Sequence, residues 1–313
     1  MTAPLSRPWI ARQLRQDPPR AKSLVMTVFG DALAPRGGAV WLGSLISLLA
    51  PFGISERAVR TSVFRLVEEG WLEASRSGRR SQYRLSAQGE KRFLRAHQRV
   101  YAPPSRDWDG QWSLLMILSD QLSAAQKNAL KKELLWEGFA LLSSGVFAYP
   151  GDKAEALTET LSRTGARNKV LLLSAADQTV AGALTLTTLA HQLWPLKAVS
   201  KSYGQFIRRF DALLALQDQA AEINPEQAFV IRTLLIHAYR RVQLHDPQLP
   251  QALLGDGWPG EKAYALCSSI YQQALSASDR YVAATLQQEQ ATVHAVRDEF
   301  SHRFAARSAL ADT

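Results

Sequence analysis

Apolar residues in the N-terminal third of the chain recur with a helical period and then with a period of two. Helical spacing predicts helices over residues 21–34, 40–49 and 55–69, each ended by Pro or Gly residues. The alternation that follows predicts two short strands on either side of a turn at 77–80, and a further helix over 87–100. Helix, helix, helix, hairpin is the order of a winged helix-turn-helix.

The middle of the chain alternates between strand and helix patterns. Two adjacent prolines, Pro103 and Pro104, mark a boundary, because they fit neither a helix interior nor a central strand. The predicted order is β-α-β-β-α-β, which is that of a ferredoxin-like α/β sandwich. The strands are expected at 112–118, 139–142, 146–149 and 169–173, and the helices at 123–136 and 152–163.

Only helical patterns follow residue 180, over 184–193, 203–220, 225–246 and 262–286, with a polar helix after 287. The predicted fold is therefore α+β and mostly helical. Its domains are a winged helix at 21–104, the ferredoxin-like sandwich at 105–177 and a helical domain at 178–313. Residues 1–20 carry four prolines and four arginines and are predicted to be a flexible basic arm.

Positive charge is concentrated in the segment predicted to be the winged helix. Residues 1–104 contain 17 Lys and Arg against 7 Asp and Glu, whereas the chain as a whole has a net charge of +9. The rest of the chain is therefore almost neutral. A basic excess confined to one domain attracts a polyanion, most often nucleic acid, although a merely soluble basic surface has the same composition.

The third predicted helix has an apolar face for packing and an arginine-rich face for solvent. Ser55 is a suitable N-cap for it. Such a helix fits the major groove, where Arg can bind guanine through two hydrogen bonds and Thr can contact a base. The predicted hairpin tip would reach the phosphate backbone. The predicted DNA-binding residues are Ser55, Arg57, Arg60, Thr61 and Arg65 on the helix and Arg76, Arg79 and Arg80 on the hairpin.

Several long motifs resemble the PaaX family, the repressors of phenylacetic acid catabolism. The first is residues 35–45, PRGGAVWLGSL, and the second is the helix and hairpin sequence from residue 57 to 81. The sequence WDGQW at 108–112 is similar to the family's entry to a central Cas2-like domain, and LLIHAYRRVQLHDPQLP at 234–250 is similar to its C-terminal block. The resemblance covers about residues 20 to 280.

This resemblance implies a cytoplasmic homodimer that binds palindromic double-stranded operator DNA and releases it on binding phenylacetyl-CoA. The effector needs an aromatic slot and cations for its phosphates. Candidate effector-binding residues are Arg240, Arg241, Tyr239 and Trp194. Arg240 and Arg241 could equally pair with a carboxylate such as Asp246. A repressor responding to an unrelated ligand is one alternative.

A metal-dependent nuclease is the alternative from another class, because some Cas2 proteins are nucleases. Asp107, Asp109 and Asp120 flank the first central strand, but acids near turns are usually turn formers and caps. The six histidines are dispersed and no catalytic-triad, P-loop or dinucleotide motif occurs. We therefore predict no enzyme activity, no catalytic or metal site and no cofactor. The single cysteine, Cys267, fits a reducing compartment, and no apolar stretch is long enough to span a bilayer.

Overall fold

The computed structural model describes residues 6–104, 107–118, 122–178, 180–216, 223–288 and 303–304. The chain divides into two compact units. The first unit contains Met1–Pro103, Gln205–Gln243 and Lys262–Thr313, and the second contains Pro104–Gly204 and Leu244–Glu261. Residues 178–313, predicted as one helical domain, thus contribute to both units.

The architecture is α+β and mostly helical, as predicted. The described helices are α1 (Ser6–Gln16), α2 (Ala21–Val28), α3 (Leu42–Leu49), α4 (Glu56–Glu68), α5 (Ala87–Tyr101), α6 (Ala124–Trp136), α7 (Ala154–Arg163), α8 (Leu186–Leu193), α9 (Leu196–Phe210), α10 (Pro225–Gln243) and α11 (Gly260–Gln287). The strands are β1 (Val40–Trp41), β2 (Leu72–Ser77), β3 (Arg80–Leu85), β4 (Gln111–Ile117), β5 (Ala140–Ser143), β6 (Val146–Pro150) and β7 (Val170–Ala176).

The hairpin of β2 and β3 follows α4 and forms the wing, which we define as residues 72–85. β3 is the middle strand of a three-stranded antiparallel sheet, with β2 on one side and β1 on the other. β1 was not predicted, because Val40 and Trp41 continue the apolar pattern of α3 and only their pairing with Tyr83 and Gln82 makes them a strand. The winged helix-turn-helix order is otherwise the one expected.

The segment predicted as a flexible arm contains α1. Pro8 is compatible with the helix because it lies in the first turn, where the backbone N–H groups have no intrahelical acceptor. Trp9 is buried and its ring lies 5.4 Å from that of Phe210. Gln13 is also buried and accepts a hydrogen bond from Arg209 Nε at 2.7 Å. Tertiary packing therefore orders the described part of this segment.

An ionic cluster is buried where α2 continues into the π-helical turn Phe29–Leu33. Asp31 forms ion pairs with Arg232 of α10 and with Arg303. Arg232 also pairs with Asp279 of α11, at 2.6 Å. Phe304, beside Arg303, packs against four tyrosine rings of α5, α10 and α11: Tyr101, Tyr239, Tyr264 and Tyr271. These contacts join distant parts of the chain within the first unit.

The second unit contains the ferredoxin-like sandwich. Its four strands are antiparallel neighbours in the order β5-β6-β4-β7. A core of Leu115, Leu130, Leu134, Phe147 and Leu157 lies between this sheet and the helices α6 and α7. On the other face, Trp112 stacks with Trp194, which comes directly after α8, with 6.3 Å between the ring centroids.

The later helices differ from their predicted bounds. The helix expected at 203–220 is α9, which starts at Leu196 and is followed by a 3-10 helix, Asp211–Leu216. Pro195 was interpreted as the end of the preceding helix, whereas its carbonyl oxygen accepts the N–H of Val199 in the first turn of α9. The polar helix predicted after 287 lies almost entirely outside the described residues. No helix in the described part of the chain is long and apolar enough to cross a membrane.

Candidate nucleic-acid interface

Helix α4 has the two faces that the sequence predicts. Ser55 caps it by accepting a hydrogen bond from the Ala58 backbone N–H at 3.3 Å. Val59, Val63 and Leu66 are buried against the rest of the unit. The predicted reading residues lie on the opposite, exposed side: Arg57, Arg60, Thr61 and Arg65. Local signals were sufficient here, because an N-cap and an apolar spacing fix both the start and the rotation of the helix.

Phe64 is an additional exposed residue on this face. Its relative exposure is 62%, the highest on α4 for a large apolar side chain. A phenylalanine in the major groove can contact the methyl group of thymine. The sequence pattern places Phe64 on the polar face, but the predicted DNA-binding residues do not contain it.

Two predicted reading residues have partners within α4. Arg60 donates to Glu56 Oε1 from Nε at 2.9 Å and from Nη2 at 2.6 Å, and both side chains are more than half exposed. The hydroxyl of Thr61 donates to the carbonyl oxygen of Arg57 at 2.9 Å. Base reading by Arg60 therefore requires exchange of its Glu56 contact, which is inexpensive for an exposed pair.

A groove of about 490 Å³ lies between α4 and the start of α2. The α4 side of the groove carries Arg57, Thr61 and Arg65, and the α2 side carries Arg20 and Lys22. The first residues of α2 also line this groove, and the N–H groups of the first turn of a helix favour an anion such as phosphate. Lys22 also forms an ion pair with Glu69. Arg20 and Lys22 were missed because only tertiary packing of α2 on α4 brings them to this face.

The wing presents its arginines to solvent. Arg76, Arg79 and Arg80 are all exposed, and Gly78 adopts the positive φ, 58°, that the tight turn requires. The guanidinium of Arg80 lies over the ring of Trp41, 4.6 Å from its centroid. This cation–π contact positions one of the wing cations relative to β1.

The candidate effector residues occupy different environments. Tyr239, Arg240 and Arg241 belong to the first unit and Trp194 to the second. Tyr239 is buried, and Trp194 is buried with its indole N–H donating to the carbonyl oxygen of Gly138 at 2.8 Å.

The two arginines of this set differ in exposure. The partly buried guanidinium of Arg240 donates to the carbonyl oxygen and hydroxyl of Ser23. Burial lowers the pKa of Arg240 below its usual range. Arg241 is 60% exposed, with Nη1 3.8 Å from a carboxylate oxygen of Asp17. Arg241 is therefore the member of this set whose charge is most open to an anion.

Two of the three acids considered for a nuclease, Asp107 and Asp109, lie among the described residues. Asp109 Oδ1 accepts a hydrogen bond from the backbone N–H of Gln111 at 2.9 Å, which is a turn-forming contact. Asp107 is exposed, and Asp120 lies outside the described residues. No group of three His, Cys, Asp or Glu within the described ranges is placed to hold a metal ion.

Comparison with known proteins gives matches along most of the chain. Models described as "PaaX-like protein", "PaaX protein central Cas2-like domain" and "PaaX-like protein C-terminal domain" match residues 20–89, 105–185 and 194–284. The transcriptional repressor PaaX of Escherichia coli (strain K12) is 40% identical over 266 residues, which cover 85% of this chain and 84% of the relative. The solved structure of the uncharacterized protein Rv0674 from Mycobacterium tuberculosis is 28% identical, with a TM-score of 0.53 over 85% of this chain and 98% of that chain.

Proposed function

The chain belongs to the PaaX family, and from this premise we propose that it represses the genes of phenylacetate degradation by binding their operator DNA through α4 and the wing. The E. coli relative is a transcriptional repressor, a regulator rather than an enzyme. The observation that carries the proposal is the exposed face of α4, which combines Arg57, Arg60, Thr61 and Arg65 with the groove cations Arg20 and Lys22.

In the proposed complex, α4 lies in the major groove and the wing follows the backbone. The arginines of α4 supply forked donors for guanine, Thr61 and Phe64 supply contacts for other base edges, and Arg79 and Arg80 neutralise phosphates. The groove beside α4 receives a phosphate of the DNA backbone. The protein acts as a homodimer, whose two winged helices read the two half-sites of a palindrome.

Phenylacetyl-CoA is the proposed effector, and release of DNA requires that it bind the DNA-incompetent arrangement more tightly than the competent one. Such coupling amounts to about 1–3 kcal/mol in typical allosteric proteins. It is reciprocal, so operator DNA weakens effector binding by the same factor. The exposed Arg241 is the first cation to test for contact with the effector phosphates. The single buried cysteine and the cytoplasmic setting of transcription agree with a reducing compartment.

Operator gel shifts titrated with phenylacetyl-CoA, phenylacetate and free CoA test the proposal. We expect only phenylacetyl-CoA to release the DNA. Operator binding without a response to any of the three would favour a repressor for an unrelated ligand. Cleavage of the DNA in the presence of Mg²⁺ or Mn²⁺ would favour the nuclease.

A substitution on α4 tests where the DNA binds. Arg57→Ala should weaken operator binding by about 1–3 kcal/mol, the worth of one bidentate base contact, and weaken binding to random DNA less. The matched control is Arg167→Ala, which removes an exposed arginine from the second unit and should leave both affinities unchanged. Equal losses on both DNAs would reduce Arg57 to a phosphate contact.

A further inference from the structure

Strand β7 exposes three consecutive leucines at the edge of the ferredoxin-like sheet. β7 is the last strand in the order β5-β6-β4-β7, so it pairs with β4 on one side only within the described residues. Leu171, Leu172 and Leu173 are 42%, 36% and 42% exposed. An apolar edge with unpaired backbone groups invites another strand, and natural proteins normally protect it with charges, prolines or a covering element.

The backbone polarity of β7 determines which residues can pair outward. The backbone N–H of Leu118 donates to the carbonyl oxygen of Lys169 at 2.9 Å, so Lys169 directs its carbonyl group toward β4. Alternation along the strand then directs the groups of Leu171, Leu173 and Ala175 to β4. The outward groups are those of Val170, Leu172, Ser174 and Ala176.

We propose that β7 pairs antiparallel with β7 of a second copy of this chain, about a twofold axis at Leu173, and so joins two ferredoxin-like sheets into one. In this register Leu172 of one copy lies opposite Ser174 of the other, and both direct their backbone groups into the new interface. Leu173 lies opposite its own counterpart in a pair without hydrogen bonds. The twofold axis makes every contact occur twice, as in other isologous dimers.

Strand length and charge select this register among those that the backbone allows. Only with the axis at Leu173 does every one of the seven residues of β7 have a partner. The same register places Lys169, just before β7, opposite Asp177, just after it. Cross-strand pairs of opposite charge stabilise antiparallel strands. The two ends of the strand are therefore complementary to each other in charge.

Asp177 is fixed in place and ionised at neutral pH. Its carboxylate accepts hydrogen bonds from the backbone N–H groups of Leu186 at 2.8 Å and Thr187 at 3.0 Å. Although partial burial opposes ionisation, the hydrogen bonds from Thr187 and Leu186 hold the pKa of Asp177 below its usual range. The charge that Lys169 of the second copy would meet is thus held at the start of α8.

The apolar surface of the sheet continues from β7 onto β4. Leu171 lies opposite Met116 in the register of these strands, and both share one face with Leu173. Met116 is 37% exposed. Pairing of two β7 strands would bring these patches from both copies side by side and bury part of the exposed leucine side chains. This inference deepens the proposed function, since it names the surface of the dimer that the repressor requires.

Cross-linking of the full-length protein tests the register. Leu173→Cys places two thiols across a non-hydrogen-bonded pair, whose Cα atoms are about 4.5 Å apart in antiparallel sheets, within disulfide range. The native Cys267 is buried and contributes no background. We expect mild oxidation at micromolar concentration to convert most of this variant to a covalent dimer. Leu172→Cys, similarly exposed but off the axis, should cross-link at least tenfold more slowly.

A charge reversal tests the interface without a thiol. Lys169→Glu would oppose Asp177 of the second copy twice, and sedimentation should show the dimer dissociation constant increased about tenfold or more. Lys131→Glu, the same change on the exposed surface of α6, should leave it unchanged. Suppose that the wild-type protein forms a dimer while Leu173→Cys fails to cross-link or Leu172→Cys cross-links faster. Either result would overturn the β7 pairing and leave the repressor function intact. A cross-linked dimer that binds no operator would overturn the function and leave the interface standing.

Discussion

Asp31 and Arg232 form an ion pair with 2.7 Å between Oδ2 and Nε, and the two side chains are only 3% and 2% exposed. Arg303 lies on the other oxygen at 3.1 Å, and the hydroxyls of Tyr101 and Tyr271 donate to that oxygen as well. Burial opposes ionisation of Asp31, but Arg232 and Arg303 outweigh it and hold the pKa of the carboxyl below its usual range. One carboxylate thus neutralises guanidinium groups from two distant parts of the sequence.

Replacing Asp31 should be severely destabilising. Asp31→Asn keeps the shape but leaves Arg232 and Arg303 buried without their shared counter-charge, and breaking a buried pair in this way typically costs about 3–5 kcal/mol. Urea unfolding at neutral pH measures the change. Asp279→Asn is the matched control, since Asp279 pairs with Arg232 but is 26% exposed, and it should cost less. Equal losses of unfolding free energy in the two variants would mean that burial of the ion pair does not determine its contribution to stability.

Two histidines, His237 buried and His97 partly buried, should make the fold weaker in mild acid. Burial, with help from Arg303, lowers the pKa of His97 to about 4, and burial, with help from Arg240 and Arg241, lowers that of His237 to about 4. The ordinary value is 6.5. Between these values the unfolded chain binds protons that the folded chain does not, so stability falls as the pH drops from about 6.5 to about 4.

Urea midpoints at several pH values test the histidine prediction. His237→Gln, which can keep a hydrogen bond to Thr27, should remove part of the slope between pH 7 and pH 5. The same slope in His237→Gln and His97→Gln as in the wild type would assign the acid sensitivity to other groups. Asp31 acts in a lower window: its lowered pKa contributes stability above the usual carboxyl pKa, which is lost as the pH falls through the folded value.

The sequence was sufficient to predict those elements whose formation depends on residues close together in the chain. Ser55 and the spacing of Val59, Val63 and Leu66 were enough to fix α4, and alternating strand and helix patterns were enough for the ferredoxin-like sheet. What the sequence did not reveal depends on contacts between distant residues. The pairing of Arg232 with Asp31 spans 201 positions in the sequence, and no spacing rule connects them.

The same limit applied to the candidate interface. The arginines of α4 and the wing were predicted because each lies in an element that the local sequence pattern identifies. Arg20 and Lys22 were not, because their place beside α4 depends on how α2 packs. Residues 1–20 were predicted to be an arm because they contain four prolines. The contact of the buried Trp9 with Phe210, which helps to order α1, could not be read from the sequence.

Removing Glu56 should strengthen DNA binding. Glu56→Gln frees Arg60 from its intrahelical ion pair and removes a negative charge from the face that meets DNA. The pair is exposed, and its loss is worth less than about 1 kcal/mol, so affinity for operator and random DNA should both rise a few-fold at low salt. Fluorescence anisotropy at two salt concentrations measures this. Glu155→Gln on α7 controls for net charge, and a weaker complex in Glu56→Gln would mean that Glu56 itself contacts a base.

The wing should contribute to affinity through charge rather than through sequence reading. Arg79→Ala and Arg80→Ala should each lower affinity for all duplexes and reduce the salt dependence of log K by about one unit for each phosphate that is no longer neutralised. Arg80 starts from a cation–π contact with Trp41, so its guanidinium is already positioned, and its removal should cost at least as much as that of Arg79. Binding measured between about 50 and 200 mM salt, with Arg167→Ala as the control, separates the cases. An unchanged slope in Arg79→Ala or Arg80→Ala would place that residue away from the phosphates, and a weakening confined to the operator would give it a role in reading bases.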